Sequence, residues 1–138
     1  MMRDELYFIV DRTLADVENV TQKGVYNARD LNRVERDCRI LNELLTAIGY
    51  PSQITTRENW DRKEFPSAAE MERIRRNLTA IRACFFVKED TPEIPNSLDY
   101  MDYKKANDIE RILRDLYQVY QVVLSMTPSL NGLYLGGV

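Results

Sequence analysis

Residues 27–51, NARDLNRVERDCRILNELLTAIGYP, decide the fold. The apolar residues fall at Leu31, Val34, Cys38, Leu41, Leu45 and Ile48, in steps of 3, 4, 3, 4 and 3. That spacing keeps one face of a helix apolar through nearly three heptads. Ile40 and Leu44 widen the stripe to the breadth of a globular packing face. Asn27 stands where an N-cap is needed, with Asp30 in the first turn. Gly49 followed by Pro51 stops the helix in the usual order of a C′ glycine and then a proline. One such helix cannot bury its own face, so the rest of the chain must supply partners.

Downstream, Ser67-Ala68-Ala69-Glu70 after Pro66 is a capping box. It opens a helix whose apolar positions are Met71, Ile74, Leu78, Ile81 and Phe85. Pro92 and Pro95 interrupt any helix between Lys88 and Asp99 and mark an extended crossing. A last helix is predicted from about Asp102 or Tyr103 to about Met126, with Ala106, Ile109, Ile112, Leu116, Val119, Val123 and Met126 on its seam. The connection over 50–66 is long for a loop in a compact domain. Its Tyr50, Ile54, Trp60 and Phe65 are expected to anchor it to the helices, Trp60 as a docking side chain. Upstream, Thr13 caps a short helix with Leu14, Val17 and Val20 on one side, stopped at Gly24. Leu6-Tyr7-Phe8-Ile9-Val10 is too short for a helix and reads as an extended arm or edge strand. Beyond Pro128 an apolar tail carries the turn signal Asn131-Gly132. The expected fold is all-α: three long antiparallel helices in a bundle, crossing at roughly 20°, plus the short N-terminal helix. The chain reads as a single domain, 1–138, with an arm at 1–12, a helical bundle at 13–126 and a tail at 127–138.

Composition narrows the chemistry. The chain has 138 residues, 44% apolar, with 19 basic and 22 acidic side chains and a net charge of −3. It contains no histidine, which removes His-dependent triads and imidazole switches. Cys38 and Cys84 form no CxxC and fall on apolar helix positions, so both read as buried free thiols. No glycine-rich phosphate loop, nucleophile elbow, zinc spacing or EF-hand spacing occurs. No catalytic, cofactor or metal residue is therefore assigned, and no small-molecule substrate is expected. No apolar run reaches transmembrane length and the start lacks a secretory signal, so no membrane partner is expected. The mildly acidic balance opposes a nucleic-acid surface.

Charged pairs at i, i+4 are plentiful: Glu35–Arg39, Glu72–Arg76, Glu110–Arg114 and Arg111–Asp115. They read as solvated helix pairs worth a few tenths of a kcal/mol each. Fourteen of the nineteen basic residues are arginine, and arginine favours protein contacts. Arg29, Arg33 and Arg36 share a face, while Arg73, Arg75 and Arg76 cluster. The distal half of the last helix, Leu116 to Met126, keeps only Gln118, Gln121 and Ser125 as a polar stripe. A helix apolar almost all round needs cover on more than one side. It is either central in the bundle or in contact with another chain. Tyr117, Tyr120, Val122 and Leu124, with Tyr134 of the tail, are the residues expected to make that contact.

Several segments together resemble a family of small helical proteins and modules encoded by phages and prophages of Gram-positive bacteria, found with tail, baseplate or fibre components. They are Asp11-Arg12-Thr13 with Ala15-Asp16-Val17, then Lys23-Gly24-Val25-Tyr26-Asn27 and Asp30-Leu31-Asn32-Arg33-Val34-Glu35. Trp60, Pro66-Ser67-Ala68-Ala69-Glu70-Met71, Ala106-Asn107-Asp108-Ile109-Glu110 and the Leu-Tyr tail complete the series. The resemblance spans most of the chain through capping and packing motifs. The glycine-ended Leu135-Gly136-Gly137-Val138 departs from the family's more polar tails. The resemblance implies a non-enzymatic structural protein of the tail, baseplate or fibre-attachment region, made in the bacterial cytoplasm and carried in the virion. Its partners would be copies of itself, as a homo-oligomer, and neighbouring tail or baseplate proteins. The alternative is a small phage-encoded adaptor or regulator that binds a host protein through its arginine-bearing faces.

Overall fold

Each helix begins on the cap its sequence provides. In a computed structural model, which describes residues 6–18 and 27–126, the helices are α1 (Leu14–Glu18), α2 (Ala28–Ala47), α3 (Ala68–Ala83) and α4 (Tyr103–Ser125). Asn27 Oδ1 accepts from the Arg29 and Asp30 amides, and Asp30 Oδ2 accepts from the Asn27 amide at 2.9 Å. These bonds satisfy three donors that a helix start leaves open. Thr13 and Asp16 exchange the same reciprocal bonds at α1, and Asp102 caps α4 by accepting from the Lys105 amide at 2.7 Å. The capping box expected at α3 is half formed. Ser67 accepts from the Glu70 amide, but the Glu70 carboxylate turns to Arg73 instead, because a guanidinium offers a stronger donor than a neutral amide.

At the other end of α2, the Gly49 amide donates to Thr46 O and the Tyr50 amide to Leu45 O. Gly49 sits at φ +98, a conformation that L side chains resist. The glycine and proline read from the sequence thus end the helix by this Schellman arrangement.

Helices α2, α3 and α4 each contact the other two. Their seams meet in one core that contains Leu31, Val34, Cys38, Leu41 and Leu45 of α2, Met71, Ile74, Leu78 and Ile81 of α3, and Ile109, Ile112 and Leu116 of α4. Full burial of each large aliphatic side chain contributes about 1.5–3 kcal/mol. Both cysteines are free, Cys38 buried and Cys84 half-buried.

The non-helical segments cover the remaining sides. Trp60 is buried, and Tyr50 and Ile54 pack at the core edge. Phe65 departs from expectation: it is 91% exposed and anchors nothing. The crossing between α3 and α4 buries Thr91 and Leu98 and is pinned by arginines of α3. Arg82 donates to Pro92 O and Arg75 to Pro95 O. Residues 6–13 run without helix, turn or bend, and this arm lies against α2 and α4.

Candidate functional site

The arm is held by a buried charge cluster that helical periodicity does not reveal. Arg12, at the end of the arm, carries a fully buried side chain. It donates to Glu110 Oε2 at 2.7 Å and to Asp30 Oδ1 at 3.3 Å. Arg33 reaches the same two acceptors at 2.6 and 2.9 Å, and its Nε donates to Glu110 Oε1 at 3.2 Å. The Ile9 amide completes the Glu110 shell at 2.9 Å. One helical turn earlier, Asn107 accepts from the Arg12 amide and donates to Arg12 O. Two cations therefore meet two anions with nearly every lone pair and proton placed, the condition under which buried charge is tolerated. Burial works against the Arg33 charge, but the hydrogen bonds to Glu110 and Asp30 outweigh it and push its pKa up.

Beside this neutral set lies a fifth group without a counter-ion bond. Asp37 is 0% exposed, and among the described residues neither of its carboxylate oxygens has a hydrogen-bond partner. The Tyr7 backbone N–H faces it and favours its charged form slightly, but lies outside hydrogen-bond geometry. Burial, then the nearby Glu110 carboxylate, pushes the Asp37 pKa up to about 8, against the weaker pull of Arg33 and Arg36.

A second cluster centres on Glu35, also buried. Arg73 clamps it with two bonds at 2.7 and 2.8 Å. Trp60 Nε1 donates to it at 2.7 Å and the Arg57 amide at 2.9 Å. The Arg57 guanidinium lies over the indole, 3.9 Å from its centroid. Trp60→Phe removes one bond to a buried carboxylate, and an expected cost of about 1.5–3 kcal/mol follows. Urea unfolding followed by circular dichroism checks it, and a change below about 0.5 kcal/mol would remove Trp60 from the set of anchoring contacts.

Their spacing to Arg39 and Arg114 predicts solvated i, i+4 pairs for Glu35 and Glu110. The structure overturns both readings. Each carboxylate faces inward and bonds across elements, because the arm and the 50–66 segment lie over faces that would otherwise be wet. Glu72–Arg76 does remain an exposed pair, at 4.0 Å. Of the arginines expected on partner-binding faces, Arg33 and Arg73 are committed to internal carboxylates.

A cleft of about 1240 Å³ opens between the arm, the first half of α2 and the Trp60 region. Arg29, Arg33, Arg36 and Arg62 line it, against Asp11 and Asp30. Among the described residues, Arg36 and Arg62 make no ion pair, and Arg36 Nε is shut away from solvent without an acceptor.

The distal part of α4 divides the residues expected at an interface. Tyr120 is 6% exposed and stacks on Tyr117 at 6.0 Å; Phe8 of the arm covers Tyr117 at 6.2 Å. Leu124 is half-buried at the core edge. Val122 is 54% exposed and Met126 74%. Tyr134 lies outside the described residues. The arm thus provides within the chain part of the cover that the greasy helix demands. The charge clusters had one weak signal in the sequence: Glu35 and Glu110 directly follow the seam residues Val34 and Ile109, on the flank of the apolar stripe.

Among the described residues, no group of Cys, Asp and Glu is arranged to hold a metal ion, and no helix is long and apolar enough to cross a membrane. No family model, curated protein or solved structure matches the chain.

Proposed function

We propose that the protein is a non-enzymatic assembly component of a phage or prophage tail, baseplate or fibre-attachment region. Its three long helices form an antiparallel bundle that presents the distal end of α4 to copies of itself and to neighbouring tail proteins. The observation that carries this reading is the exposure of Val122 and Met126 at a helix end whose polar side chains are only Gln118, Gln121 and Ser125. Large apolar side chains grouped at one end of a molecule favour association. The resemblance of the capping and packing motifs to phage-encoded modules supplies the tail setting.

Light scattering across a concentration series tests the assembly. The expected result is a homo-oligomer that Val122→Glu with Met126→Glu converts to monomer, with helix content unchanged. A strict monomer at every concentration would overturn self-association. Detection of the protein in purified particles tests the virion location.

The unpaired Arg36 and Arg62 in the cleft favour a second reading, an adaptor that binds a host protein. Capture of a host protein together with absence from mature particles would select it over the first.

A further inference from the structure

The cleft carries two unmet demands that one ligand answers. The first is electrostatic. Among the described residues, four guanidinium groups line it against two carboxylates, and Asp30 is already matched by Arg12 and Arg33. Among the described residues, Arg36 and Arg62 keep their charge unpaired, and the Nε–H of Arg36 has no acceptor. A guanidinium in such a place calls for a carboxylate or another oxyanion.

The second demand is in the backbone. The arm runs without helix, turn or bend, so its N–H groups are not used up by local bonds. The Ile9 amide is bonded inward to Glu110, and the Tyr7 amide faces Asp37. Among the described residues, the amides of Phe8 and Val10 make no hydrogen bond. Both residues line the cleft. An unpaired strand edge is a template for another extended chain.

We propose that this cleft receives an extended acidic peptide from a partner protein. The peptide pairs its backbone with the free edge of residues 7–10 and its carboxylates with Arg36 and Arg62. The volume of the cleft suits a peptide better than a lone phosphate, and the exposed Tyr7 ring offers an apolar flank to its side chains. This inference rests on the reading of the chain as a protein-binding molecule, but not on the α4 end. Failure here leaves the light-scattering result standing, and the reverse holds too.

The test is a titration of the full ¹⁵N-labelled chain with the capped peptide Glu-Val-Glu-Val-Glu, followed by amide shifts and hydrogen exchange. Saturable shifts centred on Phe8 and Val10 are expected, with slowed exchange at those two amides. Arg36→Gln with Arg62→Gln should weaken binding about tenfold or more. The exposed Arg62→Gln alone should weaken it in part, which keeps the test decisive if the double variant folds poorly. A peptide N-methylated at the bonds that face the arm should lose the shifts at Phe8 and Val10. The proposal is overturned if no saturable shift appears, if inorganic phosphate produces the same shifts, or if the N-methylated peptide binds equally well.

Discussion

Replacing Glu110 by alanine should cost about 3–5 kcal/mol and free the N-terminal arm, the largest loss expected from any single substitution in this chain. Glu110 accepts four bonds: two from Arg33, one from Arg12 and one from the Ile9 amide. Among the described residues, its removal leaves two buried guanidinium groups to share Asp30 alone. The penalty comes from that uncompensated charge more than from the bonds themselves. For a domain of this length the loss corresponds to a fall in melting temperature of roughly 10–20 °C. Calorimetry measures it, and hydrogen exchange at the Ile9 amide reports release of the arm. The partner variant Arg12→Met should cost less, because Arg33 still answers Glu110. A double-mutant cycle between Arg12 and Glu110 should show a coupling of at least about 1 kcal/mol. Independent effects at the two sites, or an Ile9 amide still protected in the alanine variant, would refute the idea that this carboxylate clamps the arm.

That clamp marks the boundary of what the sequence makes legible. The seam of α2 from Leu31 to Leu45 is buried as its spacing dictates. Asn27, Ser67 and Asp102 cap where their neighbours predict. These features follow from local rules: a helical period and the open donors of a helix start. Burial of Asp30, Glu35, Asp37 and Glu110 does not. It depends on where residues 6–13 and 50–66 lie across the helices, and those segments have no period from which to read a direction. The same gap explains the aromatic residues. Tyr117 and Tyr120 stand out in the sequence as surplus apolar surface, but the arm that brings Phe8 to Tyr117 is placed by Arg12, more than a hundred residues away in the chain. The arginine cleft follows the same logic. Arg29, Arg33 and Arg36 share a helix face on sequence alone, and only the docked arm separates the neutralised Arg33 from the unpaired Arg36.

Asp37→Asn should make the protein more stable, and the gain should grow with pH. In the folded chain the carboxyl is pushed up to about 8 by burial and by Glu110; in the unfolded chain it returns to about 3.9. Between those values the folded state holds a proton that the unfolded state has released. Stability therefore falls as pH rises from about 4 to about 8. The full charge-burial penalty, on the order of 5 kcal/mol, applies above that window. Asparagine has no charge to bury, although its unpartnered amide retains a cost of about 1–3 kcal/mol. The protonated acid carries a like cost, so a net gain on the order of 5 kcal/mol is expected above pH 8, with little gain near pH 4, where the aspartate is already protonated. The charged groups around the site, Glu110 of α4 and Arg33 and Arg36 of α2, are common to both proteins, so their own pH dependence largely cancels in the difference. Urea unfolding of the pair from pH 4 to pH 9 measures it, and the carbon chemical shift of the Asp37 carboxyl locates the midpoint directly. Equal stability of the two proteins at pH 9, or a midpoint near 4, would mean that the carboxylate finds a partner the fold does not show. A gain of the expected size would identify Asp37 as a charge the fold tolerates at a cost to its own stability, beside the cluster that fixes the arm.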